Sequence, residues 1–164
     1  MNFSSKFIRA NGDMCDFDRH IPSPYFRKEF ELDFTAEKAE ILICGLGFYR
    51  LWINGTEITK GALAPYISNT GDICYYDLYN IAALLKNGKN VIGVQLGNGF
   101  RNPFGGFIWD FEKMESRGPV CLALTFKAEG GGKELCFEAD ESFKTHASPV
   151  IFDELRMGCR YDAR

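Results

Sequence analysis

Residues Ala39 to Thr59 read "AEILICGLGFYRLWINGTEIT". The first part, "AEILICGLG", is short and apolar on both faces, as in a strand buried at the centre of a sheet. The second part alternates, with Tyr49, Leu51 and Ile53 on one face and Arg50 and Trp52 on the other. Asn54-Gly55 then separates two β-prone runs. This pair suits a type I′ hairpin, whose two central residues both take positive φ. The stretch therefore predicts a central strand, a half-buried strand and a tight turn in succession.

The same period continues on both sides. In "YFRKEFELDF", Phe30, Leu32 and Phe34 share one face, and Glu29, Glu31 and Asp33 the other. "VIGVQL" sends Ile92, Val94 and Leu96 inward. "PVCLALTFKAE" aligns Val120, Leu122, Leu124 and Phe126, "GGGK" reads as a turn, and "ELCFEA" as its paired strand. "VIFDELRMGCRYDA" reads as a last strand. One segment breaks the pattern. In "DLYNIAALLKNGKN", Leu78, Ile81, Ala82 and Leu85 fall at helical spacing, with Asp77 as N-cap and Asn87-Gly88 as the stop. Residues 1–24 read as an irregular lead-in and residues 25–164 as a single domain. The fold expected is all-β: an antiparallel β-sandwich of jelly-roll, galactose-binding-domain-like type, with one short helix.

Composition narrows the function classes. The chain has 164 residues, 46% hydrophobic and 15% aromatic, with a net charge of −3. At that length roughly 70% of the unfolded surface can be buried. Acids and bases are interspersed without a basic stripe, which argues against nucleic acid as a partner. No apolar run reaches the ~20 residues of a membrane span. The start lacks the apolar core of a signal peptide, so the expected compartment is the cytoplasm. Cys15, Cys44, Cys74, Cys121, Cys136 and Cys159 form no CxxC pair and read as reduced thiols. His20 and His146 stand apart from each other, so no zinc-type ligand spacing exists.

Few motifs suggest chemistry. Asn54-Gly55-Thr56 has the form of a glycosylation acceptor, but the hairpin explains it better. Gly45-Leu46-Gly47 and Gly97-Asn98-Gly99 open no helix and make no phosphate loop. Asp72, Asp77, Asp110, Glu112, Glu115, Asp140, Glu141, Asp153 and Glu154 all read as solvating charges. A glycosidase needs two carboxylates at about 5–5.5 Å or roughly 6.5–9.5 Å, which sequence does not supply. The unusual segment is "LGNGFRNPFGGFIWDF", Leu96 to Phe111, with four glycines and five aromatic rings in what should be a loop. It can be a cap on the core, a ligand platform or a docking face. As a platform, Phe100, Phe104, Phe107 and Trp109 would stack on a sugar, while Asn98, Arg101, Asn102 and Asp110 bond its hydroxyls.

Several segments together resemble a known family. "PYFRKEFEL", "AEILICGLGFYRLWINGTEI", "LAPY", "YDLYNIAALLKNGKNVIGVQLGNGF" and "YDAR" are similar, in order and spacing, to the amino-terminal β-sandwich of bacterial α-L-rhamnosidases. The resemblance runs from about Tyr25 to Arg164. It implies a multidomain parent that removes terminal L-rhamnose with inversion, its catalytic carboxylates lying in an α/α-barrel further along the chain. "GCRYDAR" leads into the next domain in that family, so Arg164 resembles a cut point. No catalytic residue is then expected here, and the partners implied are the remaining domains of the parent and rhamnose-containing glycans. The module would be accessory, packing beside the catalytic domain; the alternatives are an independent carbohydrate-binding module and a structural spacer. Some relatives carry a calcium-assisted version. Leu46 and Gly47 stand where its acid and amide ligands are expected, so no cofactor is expected.

Overall fold

The computed structural model describes residues 2–4, 6–61, 63–106 and 109–164. Two antiparallel sheets face each other. One has five strands, in the order β4 (Thr56–Glu57), β3 (Phe48–Ile53), β6 (Gly88–Gly97), β1 (Pro24–Leu32) and β9 (Lys144–Ala147). The other has four, in the order β5 (Asp77–Asn80), β2 (Lys38–Leu46), β7 (Cys121–Gly130) and β8 (Lys133–Glu138). A two-stranded ribbon, β10 (Val150–Glu154) and β11 (Gly158–Tyr161), completes the chain. The segment read as one last strand is thus a hairpin, because Glu154 takes the Met157 amide and turns the chain back.

The core follows from period two. Phe26 and Leu32 of β1, Tyr49, Leu51 and Ile53 of β3, and Ile92, Val94 and Leu96 of β6 point inward from one sheet. They meet Ile41 and Ile43 of β2 and Leu122, Leu124 and Phe126 of β7. β2 sits between β5 and β7 and is buried from Ile41 to Leu46, which explains why its sequence is apolar on both faces. The hairpin after β3 has Asn54 at φ 50° and Gly55 at φ 86°, the two positive angles the Asn-Gly pair predicts.

The expected helix over Asp77–Asn87 is not an α-helix. Asp77–Asn80 is a strand paired with Glu40–Ile43, and only Ala82–Leu84 forms a 3₁₀ turn. Tyr79 and Ile81 are buried while Leu78 is exposed, which is period two. The edge of β2 offers this segment a ladder of backbone bonds that a short helix would forgo, and tertiary pairing overrides the local preference. The carbonyls of Leu84 and Lys86 are taken by the side-chain amides of Asn54 and Asn90.

Candidate functional site

The loop after β6 begins in a polar knot. Gly47, at the corner between β2 and β3, lies so close to β6 that a Cβ there would meet the Gly97 carbonyl at 2.2 Å. This contact delivers Asn98 into the protein, where it is buried. Its amide nitrogen donates to the Ile21 carbonyl and to Asp153 Oδ1, both at 2.7 Å, and its backbone N–H donates to Asp153 Oδ2 at 2.6 Å. Its Oδ1 accepts from Asn102 Nδ2 at 2.8 Å, and Asn102 Oδ1 accepts from the Cys15 amide at 2.8 Å. Ser23 Oγ donates to Asp153 Oδ1 at 3.0 Å, and His20 Nε2 lies 3.2 Å from the Asp153 amide. The side chain of Asp153 is 19% exposed, and desolvation by burial raises its pKa above the ordinary aspartate value, partly offset by the Asn98 bonds. Burial likewise raises the Cys15 thiol to about 11 and the Cys44 thiol to about 12.

Outside this knot the rings form a strip. Phe100 packs edge-on against Phe111 with centroids 4.9 Å apart, and Trp109 lies 5.6 Å from Phe111. The Arg156 guanidinium covers Phe111 at 4.7 Å. Phe100 and Arg101 also line a small recess of about 30 Å³ with Tyr66 and Tyr75 of the 63–76 loop. Arg101 joins the two loops: it donates to Thr70 Oγ1 at 3.3 Å, and also to the Ser116 carbonyl. Tyr66 is 84% exposed and Trp109 68%, and Ile67, Ile73, Tyr75 and Tyr76 are exposed as well. Trp109 and Asp110 both have positive φ, 87° and 48°, a rare conformation for such residues.

The structure divides the residues singled out from sequence. Asn98 and Asn102 are buried, with their amides spent inside the chain. Phe100 and Phe104 are half-buried, Phe104 lying near His20 and Phe152. Arg101 is a brace between loops. Trp109 faces outward, and Asp110 is exposed and pairs with Lys113 at 3.1 Å. Phe107 lies outside the described residues. Gly105 is covered by a ring from the lead-in: a Cβ there would meet Phe17 at 3.2 Å.

Some carboxylates read as solvating are not, and Asp77 accepts from the buried Tyr49 hydroxyl. Asp153 binds the loop as described, and buried Glu154 pairs with Arg156 Nε at 2.7 Å. The burial of Asp153 and Glu154 follows from the turn back into β11, which folds β10 against the lead-in. No spacing rule in the sequence links Asp153 to Asn98, which is 55 positions earlier. The loop from Leu63 to Tyr76 is not singled out as a site by sequence, although its exposed Tyr66, Ile67, Ile73, Tyr75 and Tyr76, without alternation, are a signal.

Among the described residues no group of three or more His, Cys, Asp or Glu is placed to hold a metal ion. Calcium takes six to eight oxygens. Leu46 is apolar and buried, Gly47 packs on Gly97 and Val120, and both oxygens of nearby Asp153 are already hydrogen-bonded. These residues do not fit a calcium ion.

Residues 35–164 match the α-L-rhamnosidase N-terminal domain family. An α-L-rhamnosidase of Formosa agariphila is 36% identical over 148 residues, covering 85% of this chain and 15% of that protein. The crystal structure of an Aspergillus terreus α-L-rhamnosidase superposes with a TM-score of 0.83 at 27% identity, over 94% of this chain and 18% of that one. An α-L-rhamnosidase from Dictyoglumus thermophilum gives 0.82 at 27% identity, over 99% of this chain and 19% of that one. The chain therefore spans less than a fifth of the length of each of these relatives.

Proposed function

We propose, from the premise that this chain belongs to the α-L-rhamnosidase N-terminal domain family, that it is a non-catalytic accessory domain that docks beside a catalytic domain and shapes access to its substrate. The observation that carries this reading is the strip of outward rings from Tyr66 and Tyr75 to Trp109. Apolar patches of this kind on a folded domain mark interaction surfaces. The strip is backed by Arg101, Arg156 and the Asn98–Asp153 knot, so its rings are presented on a braced loop rather than a loose one. The occupant is a neighbouring domain of the same polypeptide, since the relatives are more than five times longer than the matched region.

The parent is read as an inverting α-L-rhamnosidase whose catalytic carboxylates lie outside these residues. The test is a double substitution, Tyr66→Ser with Trp109→Ser, made both in the 164-residue chain and in a longer parent. Both positions are exposed, so the isolated chain should melt within a few degrees of the original. Activity of the parent on an aryl rhamnoside should fall at least about tenfold, equivalent to ~1.4 kcal/mol. Unchanged activity and unchanged melting of the parent would overturn the docking role.

A further inference from the structure

A groove crosses the outer face of the five-stranded sheet, on strands that the ring strip does not use. Its floor is Gly93 of β6. Register places Trp52 of β3 on one side of Gly93 and Arg27 of β1 on the other, with Lys144 of β9 beyond Arg27. The neighbouring outward row runs Arg50, Gln95, Tyr25, His146. Paired residues on neighbouring strands share a face, and of these Trp52, Gly93, Arg27, Lys144, Tyr25 and His146 line one depression. Its volume is about 400 Å³, within the range of small-molecule sites.

Three features indicate a built site. First, Gly93 is not required by the backbone. Its φ is not in the left-handed region, and a Cβ there would meet nothing nearer than Trp52 Cβ at 3.9 Å. A side chain would fit and would fill the groove, so glycine keeps the flank of the indole open. Second, the indole is held in place. The Arg50 guanidinium stacks over it at 5.2 Å, and Glu57 fixes Arg50 through bonds of 2.8 and 2.5 Å. Third, the lining is one-sided in charge. Arg27 and Lys144 line the groove and no carboxylate does, in a chain whose net charge is −3. Glu29 engages one nitrogen of Arg27, which leaves the rest of its donor fork. His146 Nδ1 bonds the Ala147 carbonyl at 2.6 Å, which leaves Nε2 for a ligand.

An aromatic plane beside a cationic rim fits a ring with one apolar face and an anionic edge. We infer that this groove binds a pyranose of the uronic-acid class, its ring stacked on Trp52 above Gly93 and its carboxylate paired with Arg27 and Lys144. A planar carboxylate matches the Arg fork in two parallel bonds, which favours it over a sulfate ester on the same ring. The site is separate from the ring strip, so failure here leaves the docking role untouched.

The test is a two-dimensional NMR titration of the 164-residue chain with methyl β-D-glucuronide, methyl β-D-glucoside and methyl β-D-glucoside 6-sulfate. The glucuronide should shift the Trp52 indole N–H and the Gly93 amide. It should bind at least about tenfold tighter than the glucoside, with the sulfate between them. Gly93→Leu should abolish the shifts. Lys144→Gln, at an exposed position that does not threaten folding, should weaken the glucuronide and leave the glucoside unchanged. The inference is overturned by no binding at millimolar ligand, by equal affinity for glucuronide and glucoside, by tighter binding of the sulfate, or by shifts confined to other surfaces. It is equally overturned if Lys144→Gln binds the glucuronide as well as the original chain does.

Discussion

Strand β6 carries an asparagine knot at each end, and the two are built differently. At its start, Asn90 and Asn54 bond each other at 2.8 Å. Asn90 also takes the Lys86 amide and holds the Lys86 and Gly88 carbonyls, and Asn54 holds the Leu84 carbonyl and the Val91 amide. Every partner is a neutral group from two adjacent turns. At the other end, Asn98 and Asn102 bond each other at 2.8 Å, but their further partners are Cys15, Ile21 and the carboxylate of Asp153. The first knot closes a hairpin end locally. The second gathers the lead-in, the loop after β6 and the terminal ribbon, and it uses a charge taken largely out of water. The sandwich therefore has a self-sufficient end and an assembled end, and the exposed rings sit on the assembled one.

The contrast predicts unequal costs. Asp153→Ala leaves the Asn98 amides and the Ser23 hydroxyl without their acceptor, and should lower stability by about 3 kcal/mol in a urea melt. Asn90→Ala removes neutral bonds whose turn partners can reach water, and should cost about 2 kcal/mol. If Asn90→Ala costs more than Asp153→Ala, the ranking of the two ends is wrong. Gly55→Val, at φ 86° with open space around it, should cost at least about 1 kcal/mol from backbone strain alone. Equal melts for Gly55→Val and the original chain would refute that turn assignment.

Charge gives a subtler probe of the same contrast. The folded pKa of Asp153 is raised above 3.8, so the folded chain holds its proton where the unfolded chain has released it. Its contribution to stability is fully present below 3.8 and is lost as pH rises through the folded value. Asp153→Asn lacks this dependence, so the stability of the original chain relative to Asp153→Asn should fall as pH rises from the unfolded to the folded value. A rise in the original chain's stability relative to Asp153→Asn over that window contradicts the burial argument. The smallest effect is kinetic. Buried Cys15, held near 11, and Cys44, near 12, should react with a thiol reagent at mildly alkaline pH far more slowly than exposed Cys74, Cys136 and Cys159. Equal rates at all these positions would mean that the assembled end opens readily.

What the sequence made legible follows the same division. Period two in β1, β3, β6 and β7 and the Asn54-Gly55 turn are local signals, and each element formed as read. Segment 77–88 was misread because its apolar residues satisfy both periods, and only the open edge of β2 decides between them. Asp153 was read as a surface charge because acidic residues near turns usually are. What buries it is contact with Asn98 and the lead-in, which no local pattern encodes. The outward Trp109 was legible as an aromatic in a glycine-rich loop, whereas its neighbours Tyr66 and Tyr75 come from a distant loop that Arg101 draws in. The rhamnosidase resemblance is carried by motif order, which needs no contact to be read, and the family match over residues 35–164 agrees with it.

We propose that the assembled end docks while the self-sufficient end does not. Amide hydrogen exchange, compared between the 164-residue chain and a longer parent under the same conditions, tests it most directly. The account predicts that exchange slows in the longer chain across residues 63–76 and 98–111, and stays unchanged at the Asn54-Gly55 turn and around Asn90. Identical exchange at 63–76 and 98–111 in both proteins, or protection gained at the Asn54 end instead, would contradict it.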